Sequence, residues 1–441
     1  MRHTAAFRSV ALATLLLVSA SCVSTQLPPI SSQGGSFKPL PDEEALWEES
    51  RDEEKQLLEK VYLYEDPLLD AYLEDVVARL NPAGMAANQS IRYRVRVVED
   101  PTLNAFAYPH GSIYVHTGLL ARMENEDELA TVLGHEMTHV ENRHMLRYHR
   151  AAHNKEVGLS VAAVAAAVVL EVAEIDALDD GAWAKAAVID VMGNLIVGLG
   201  LQLAFLASVN GYGRGLEYEA DEGGFGKMAA SGYDLGQAPK VYEALLDDHG
   251  EQKKAEAFFF GSHPRLSERI QNTKLYLSKH PAPAAASDAL ADEATRKERE
   301  DEFNRRIRPV VRDDAGLNIS MGRLALAESE LDKVLVWMPK DPEAQFQRGR
   351  LRLAQAAAAD KSPEDQRRLR GDAEDAFRKA VELDPDRPTA HRELGLLLYE
   401  RKKLAEACAQ FKKYTKLAPD ADDAGLIRDY VREMERDGKC R

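Results

Sequence analysis

His135-Glu136-Met137-Thr138-His139 sets two histidines four residues apart, with an acid directly after the first. On a helix such positions share one face, so His135 and His139 can offer neutral imidazoles to one cation at the spacing a catalytic zinc uses. Glu136 lies one step round from the first ligand, where it can hold a water made acidic by the metal and take its proton. A catalytic zinc needs one further protein ligand. Leu216-Glu217-Tyr218-Glu219-Ala220-Asp221 offers it, because in a helix Glu217 and Asp221 share a face. Glu217 could then bind the metal, and Asp221, one turn on, could hydrogen-bond His135 or His139. Glu219 falls off that face and reads as a solvated acid.

The element that must carry the histidines is a helix with its own start signal. Asn125 can cap it, Glu128 stands where a capping box wants an acid, and Leu129, Val132, Leu133 and Val140 recur at helical spacing. The three cysteines lie far from any histidine-bearing motif, so nothing suggests a Ser or Cys nucleophile. With 441 residues the chain has room for two or three domains. Its net charge of −16, without a basic patch, argues against nucleic acid as a partner.

Several separated motifs accompany the histidines. Val132 to Val140 is followed by Tyr212-x-Arg214-x-x-Glu217-x-x-Ala220-Asp221 and by His263-Pro264. Upstream stand Asn104-Ala105-Phe106-Ala107 and the run Gly111 to Leu120. Together they resemble the M48 family of zinc metallopeptidases over residues 45–280. The resemblance implies one zinc per chain held by His135, His139 and Glu217, with Glu136 as general base and then general acid and Asp221 behind the ligands. It implies that Ile113, Tyr114 and Val115 form an exposed edge strand on which an extended substrate pairs its backbone. His263 and Arg269 occupy the family's late motif, and either could donate to the oxyanion. His263 could instead close over the zinc as an extra ligand and hold the enzyme latent.

The flanking sequence places this chemistry. Arg2, His3 and Arg8 precede an apolar stretch, Val10 to Val18, and then Ser19-Ala20-Ser21-Cys22, so residues 1–21 read as a secretory signal. The ending resembles a bacterial lipoprotein cleavage site, which would make Cys22 the lipid-modified first residue, ordinary signal cleavage being the alternative. Val23 in place of Asp favours the outer membrane. Residues 22–44, rich in Ser, Gly and Pro, read as a tether; about 20 extended residues reach roughly 60 Å. Residues 157–170 and 191–213 are uncharged and apolar. They read as helices covering the site, acting as a lid or dipping into the bilayer surface, with a spanning hairpin as the alternative.

Residues 281–311 read as a linker, Pro- and Ala-rich to Ser287 and then a charged helical stretch to about Arg312, and beyond it lies a repeat. Ala373, Phe377 and Pro385 recur 34 residues later as Ala407, Phe411 and Pro419. With Gly395, these fall where the tetratricopeptide repeat expects small and aromatic packing residues, and the resemblance implies helix pairs over 312–441 with a concave face for a protein partner. Cys408 and Cys440 could form one disulfide in an oxidising compartment. The expected architecture is therefore mainly α with a small β-sheet: an α+β zincin-like metallopeptidase domain followed by an all-α tetratricopeptide-repeat solenoid.

Two functions compete. The first is a zinc endopeptidase of the bacterial periplasm, held at the outer membrane by lipid, that cleaves misfolded or stalled envelope proteins. The second is a chaperone or scaffold lipoprotein with a latent zinc site that acts in outer-membrane protein assembly. An intact Glu136 favours the first, since a pure binder needs no base beside its ligands.

Overall fold

The computed structural model of the chain describes residues 23–88, 90–155, 214–247, 266–280, 293–358 and 361–440. Cys22, His263 and the apolar runs 157–170 and 191–213 lie outside these residues. The chain divides into two compact units, the first of residues 1–98, 102–116 and 122–297 and the second of residues 99–101, 117–121 and 298–441.

In the first unit, Pro41 opens helix α1 (Pro41–Leu58), and Glu43 accepts from the Leu40 N–H, closing the first turn. Asp66 caps α2 (Pro67–Leu80) by accepting from the N–H groups of Leu68 and Leu69. Leu69, Leu73, Val76, Val77 and Leu80 then form the buried stripe of α2. Three short strands follow, β1 (Arg94–Val98), β2 (Ala105–Ala107) and β3 (Ser112–His116). They pair in the order β1-β3-β2, with β1 parallel and β2 antiparallel to β3. Gly111 turns the chain into β3 at φ 104°, and a Cβ there would lie 2.8 Å from the Arg92 carbonyl oxygen.

That order corrects the expectation for Ile113, Tyr114 and Val115. They belong to the central strand, paired on both sides and fully buried, so their backbone is committed to the sheet. The physical sign is the unbroken apolar run: a strand with one wet face alternates, whereas a strand buried on both faces does not. The outer strand nearest the active-site helix is β2, which packs along α3 (Glu126–Glu141) and has one strand partner among the described residues.

The segment expected to be a tether is packed from Val23 onward. Ile30 and Phe37 are buried at 1% and 4% exposure, and the Phe37 ring lies 6.3 Å from Trp47 of α1. Val23 exchanges two hydrogen bonds with the Asn154 side chain, and Arg150 donates to the Ser24 carbonyl and to Asp42. The two apolar residues, spaced among small and proline residues, supply enough burial to fix an otherwise flexible composition.

The second unit is built of helices: α7 (Glu293–Ser320), α8 (Leu324–Trp337), α9 (Pro342–Ala357), α10 (Pro363–Leu383), α11 (Pro388–Glu400), α12 (Leu404–Leu417) and α13 (Ala424–Arg436). Helix α7 takes in the charged stretch read as helical and runs on past residue 312 to Ser320 without a break. Successive helices pack against one another, α9 on α10 and α11 on α12. At both contacts an aromatic ring sits on a glycine: a Cβ at Gly349 would meet the Phe377 ring at 2.4 Å, and one at Gly395 would meet the Phe411 ring at 2.5 Å. Buried Glu374 receives Arg378, Arg401 and Lys403. A disulfide joins Cys408 on α12 to Cys440 in the tail, with Cα atoms 5.8 Å apart. No described helix is long and apolar enough to cross a membrane.

Gly395→Ala forces Phe411 off its seat. It should lower stability by about 1–3 kcal/mol, read as a shift of the denaturant midpoint of the full chain, whereas Gly425→Ala, with open space at its Cβ, should be neutral or stabilising.

Candidate active site

Asn125 caps α3 by accepting from the Glu128 N–H at 2.9 Å, as the sequence suggests, while Glu128 accepts from the Glu124 N–H, one residue before the partner a capping box would use. From that start, His135, Glu136 and His139 all face inward, each at or below 4% exposure. Helix α4 (Arg214–Ala230) brings Glu217 and Asp221, both buried at 3%.

Three glycines decide how close the two helices come. A Cβ at Gly134 would lie 3.2 Å from the Gly224 carbonyl oxygen, one at Gly224 would lie 3.0 Å from the His135 nitrogen, and one at Gly223 would lie 2.4 Å from the Thr138 methyl. Backbone therefore meets backbone, which lets the short reach of a carboxylate on α4 arrive between histidines on α3. Lys227 fastens the same contact one turn further on, donating to Thr138 at 2.8 Å and pairing with Glu141 at 2.5 Å. These glycines were missed from sequence; the signal was the Gly-Gly pair within an otherwise good helix.

The donor chemistry at the centre is specific. His135 Nδ1 lies 2.8 Å from Asp221 Oδ1, and an ionised carboxylate only accepts, so the ring proton sits on Nδ1. The His135 lone pair on Nε2 then faces His139 Nε2 at 2.9 Å. Glu217 adds its two oxygens at 3.5 Å from His135 Nε2 and 3.6 Å from His139 Nε2. A tetrahedral zinc with bonds of about 2.0–2.1 Å needs ligand atoms about 3.4 Å apart, so the group fits that ion. His135, His139 and Glu217 are also the group whose ligand atoms all lie within 4.8 Å among the described residues. Without a cation, a proton takes the place: burial and Arg269 oppose charging His135, but Asp221 and Glu217 outweigh them and raise it to about 9.

Behind His135, Asp221 is held by Tyr242 of α5 (Ala238–Asp247) and Arg269 of α6 (Leu266–Lys279). Arg269 donates to both Asp221 oxygens at 3.0 and 2.5 Å and Tyr242 donates to Oδ1 at 2.8 Å, while the guanidinium lies 4.2 Å over the Tyr242 ring. Two of its nitrogens, Nε and Nη2, are engaged on the Nδ1 side of His135, behind the ligands, a different placement from the oxyanion donor expected, while Nη1 lies 4.0 Å from Glu217 Oε2. Burial would raise the Asp221 carboxyl, but the Arg269 charge and the bonds from His135 and Arg269 hold it down at about 2. Tyr242 carried no motif and could not be found from sequence.

Glu219, read as solvated, is held on a second side of the site. Arg147 donates to both its oxygens at 2.8 Å and Asn142 to Oε1 at 2.9 Å. His144, wholly buried, approaches it at 3.6 Å, and this contact and Arg147 bring the Glu219 carboxyl down to about 2. A cavity of about 410 Å³ opens beside Glu217, lined by Arg214, Tyr218, Asp221, Glu268 and Arg269.

Residues 67–276 match the model of peptidase family M48. The chain carries an M48 peptidase domain. Its similarities run the same way: it is 26% identical over 256 residues to the putative beta-barrel assembly-enhancing protease of Vibrio cholerae, covering 58% of this chain and 48% of the relative. It is 26% identical over 275 residues to the beta-barrel assembly-enhancing protease of Yersinia pestis, covering 59% and 49%. It is 26% identical over 263 residues to the mitochondrial metalloendopeptidase OMA1 of Schizosaccharomyces pombe, covering 57% and 69%. The chain thus spans about half the length of the two bacterial relatives. The M48 domain contains both site helices and Arg269.

Two outcomes follow for the M48 domain. Gly223→Ala must push α4 off Thr138, so zinc content after dialysis should fall with a stability loss of about 1–3 kcal/mol. For pH, a carboxyl depressed on folding stabilises above its unfolded pKa and loses that contribution as pH falls through the folded value. Asp221 should therefore contribute on the order of 2 kcal/mol at neutral pH, lost between pH 3.8 and about 2. Thermal unfolding against pH should show that acid slope in wild type and a flatter one in Asp221→Asn.

Proposed function

We propose that the chain is a zinc-dependent endopeptidase of the bacterial cell envelope, cleaving misfolded or stalled envelope proteins. The observation that carries this reading is the convergence of two imidazole lone pairs and the Glu217 carboxylate, with Glu136 buried one residue after His135. Zinc, when bound there, lowers the pKa of water toward neutrality and polarises the scissile carbonyl. Glu136 takes the proton of the attacking water and returns it to the leaving amine. Asp221 keeps the His135 proton on Nδ1, so that the Nε2 lone pair is presented to the metal. The outer edge of β2, which has one strand partner among the described residues, is where an extended substrate would pair its backbone, in the place first assigned to Ile113–Val115. His263 keeps the two roles the sequence suggests, oxyanion donor or closing ligand.

The names of the two bacterial relatives, beta-barrel assembly-enhancing proteases, favour β-barrel assembly as the process the chain serves. A lipid on Cys22 would stand one residue before Val23, which is fastened to Asn154. The domain would then work at the membrane surface and not at the end of a long leash. The helix pairs of the second unit, with their repeated ring-on-glycine contacts, favour a protein-binding role for that unit as tetratricopeptide repeats. That same unit supports the second reading, a scaffold whose zinc site stays latent.

The test is degradation of an unfolded model protein by wild type and Glu136→Gln, with zinc measured on both. We expect about one zinc per chain in each and a loss of cleavage of at least about 100-fold in the variant. Zinc in both with cleavage in neither would move the protein to the scaffold reading. Cleavage that survives in Glu136→Gln would remove the assigned base.

A further inference from the structure

Helix α3 ends at Glu141 with Asn142 as its C-cap, and the next residue, Arg143, adopts φ 58°, a left-handed conformation that a long side chain takes up only against some strain. Its surroundings hold it there. The guanidinium pairs with buried Glu43 of α1 through Nε at 2.9 Å and through Nη2, and it lies 5.4 Å over the Phe37 ring. The left-handed corner turns the chain so that the following helical segment, 144–155, starts with His144 directed back at α3. His144 Nδ1 lies 2.9 Å from His139 Nδ1, with the two rings nearly perpendicular at 79°.

Two imidazole nitrogens at that distance share one proton, and the ligand geometry says whose it is. His139 presents Nε2 to His135 and Glu217, so its own proton must sit on Nδ1. His139 therefore donates and His144 accepts, which places the His144 proton on Nε2, the atom 3.6 Å from Glu219 Oε1. Arg147 and Asn142 hold the Glu219 carboxylate in that place. The arrangement mirrors the one behind His135, where Asp221 does the same with a carboxylate directly. One ligand histidine is oriented by an acid, the other by a second histidine backed by an acid.

We propose that His144 is a positioning residue that fixes His139 as an Nε2 ligand by accepting its Nδ1 proton, and that the left-handed corner at Arg143, clamped by Glu43 and Phe37, is what delivers it. This rests on the metal-site reading of His135, His139 and Glu217. Its readout is metal affinity, measured on the full chain by competition of zinc against a chromophoric chelator, alongside the unfolding midpoint of the metal-free protein. His144→Phe keeps the ring and removes the acceptor. It should weaken zinc binding about 10- to 100-fold. His144→Asn, whose side-chain oxygen stands close to the Nδ1 position, should recover most of that loss. A purely structural role would lower the metal-free midpoint in both variants and leave zinc affinity alike.

In the zinc-loaded protein, nitrogen-labelled histidine should also show His139 protonated on Nδ1 in wild type and in His144→Asn. Should His144→Phe fail to fold, Glu219→Gln tests the same chain one link back and should weaken zinc binding by a smaller factor. The proposal is overturned if His144→Phe binds zinc within about twofold of wild type while His139→Ala loses it. If wild type itself binds no zinc, the metal-site reading falls, and this inference with it.

Discussion

Everything in the peptidase unit serves one unfavourable arrangement: two imidazole lone pairs 2.9 Å apart with a carboxylate beside them, all buried. Such a group is electron-rich in a region where water cannot screen it, so it demands a cation or a proton. The protein maintains it by fixing the far side of each ring. Asp221, itself locked by Arg269 and Tyr242, takes the proton of His135, and His144 faces the corresponding nitrogen of His139. The near side is fixed by the close approach of α3 and α4, backbone to backbone at Gly134 and Gly224 and against the Thr138 side chain at Gly223, where an added Cβ would force a shift.

The chemistry was legible in the sequence because it depends on spacing within single helices. His135 and His139 at i and i+4, Glu217 and Asp221 at i and i+4, and the Asn125 cap all required only helical periodicity to be placed. What the sequence did not reveal depends on contacts between elements. Whether Ile113–Val115 is an edge or a central strand is set by which strands flank it, and the continuous apolar run was the sign to weigh. Arg269 sat in the right motif, but its role is set by the distance to Asp221 on another helix. His144 follows α3 across a left-handed residue, which helical periodicity cannot cross, so its approach to His139 was invisible to a pattern argument.

The second unit shows the opposite balance. Its 34-residue step located the packing residues, since Phe377 and Phe411 meet Gly349 and Gly395 in equivalent ways. Repeated helix pairs contact mainly their neighbours, so their packing is nearly a local property. The buried Glu374 with its three cations is the exception, a charge cluster set by tertiary packing and not by the repeat pattern.

The segment 23–42 shows how composition misleads about order. Its prolines and small residues would leave it flexible alone, but Ile30 and Phe37 find buried sites and Arg150 binds both Ser24 and Asp42. The residues that fasten it belong to the helical segment 144–155, whose first residue is His144. Phe37 also stacks on Arg143, at the corner that delivers that histidine. The N-terminal segment is therefore connected to the metal site through two intermediates, the left-handed corner and the helical segment behind it. A change at the anchored end of the chain need cross only these packed contacts to reach His139. A free leash would have left the site indifferent to the N-terminus, and this packing does not.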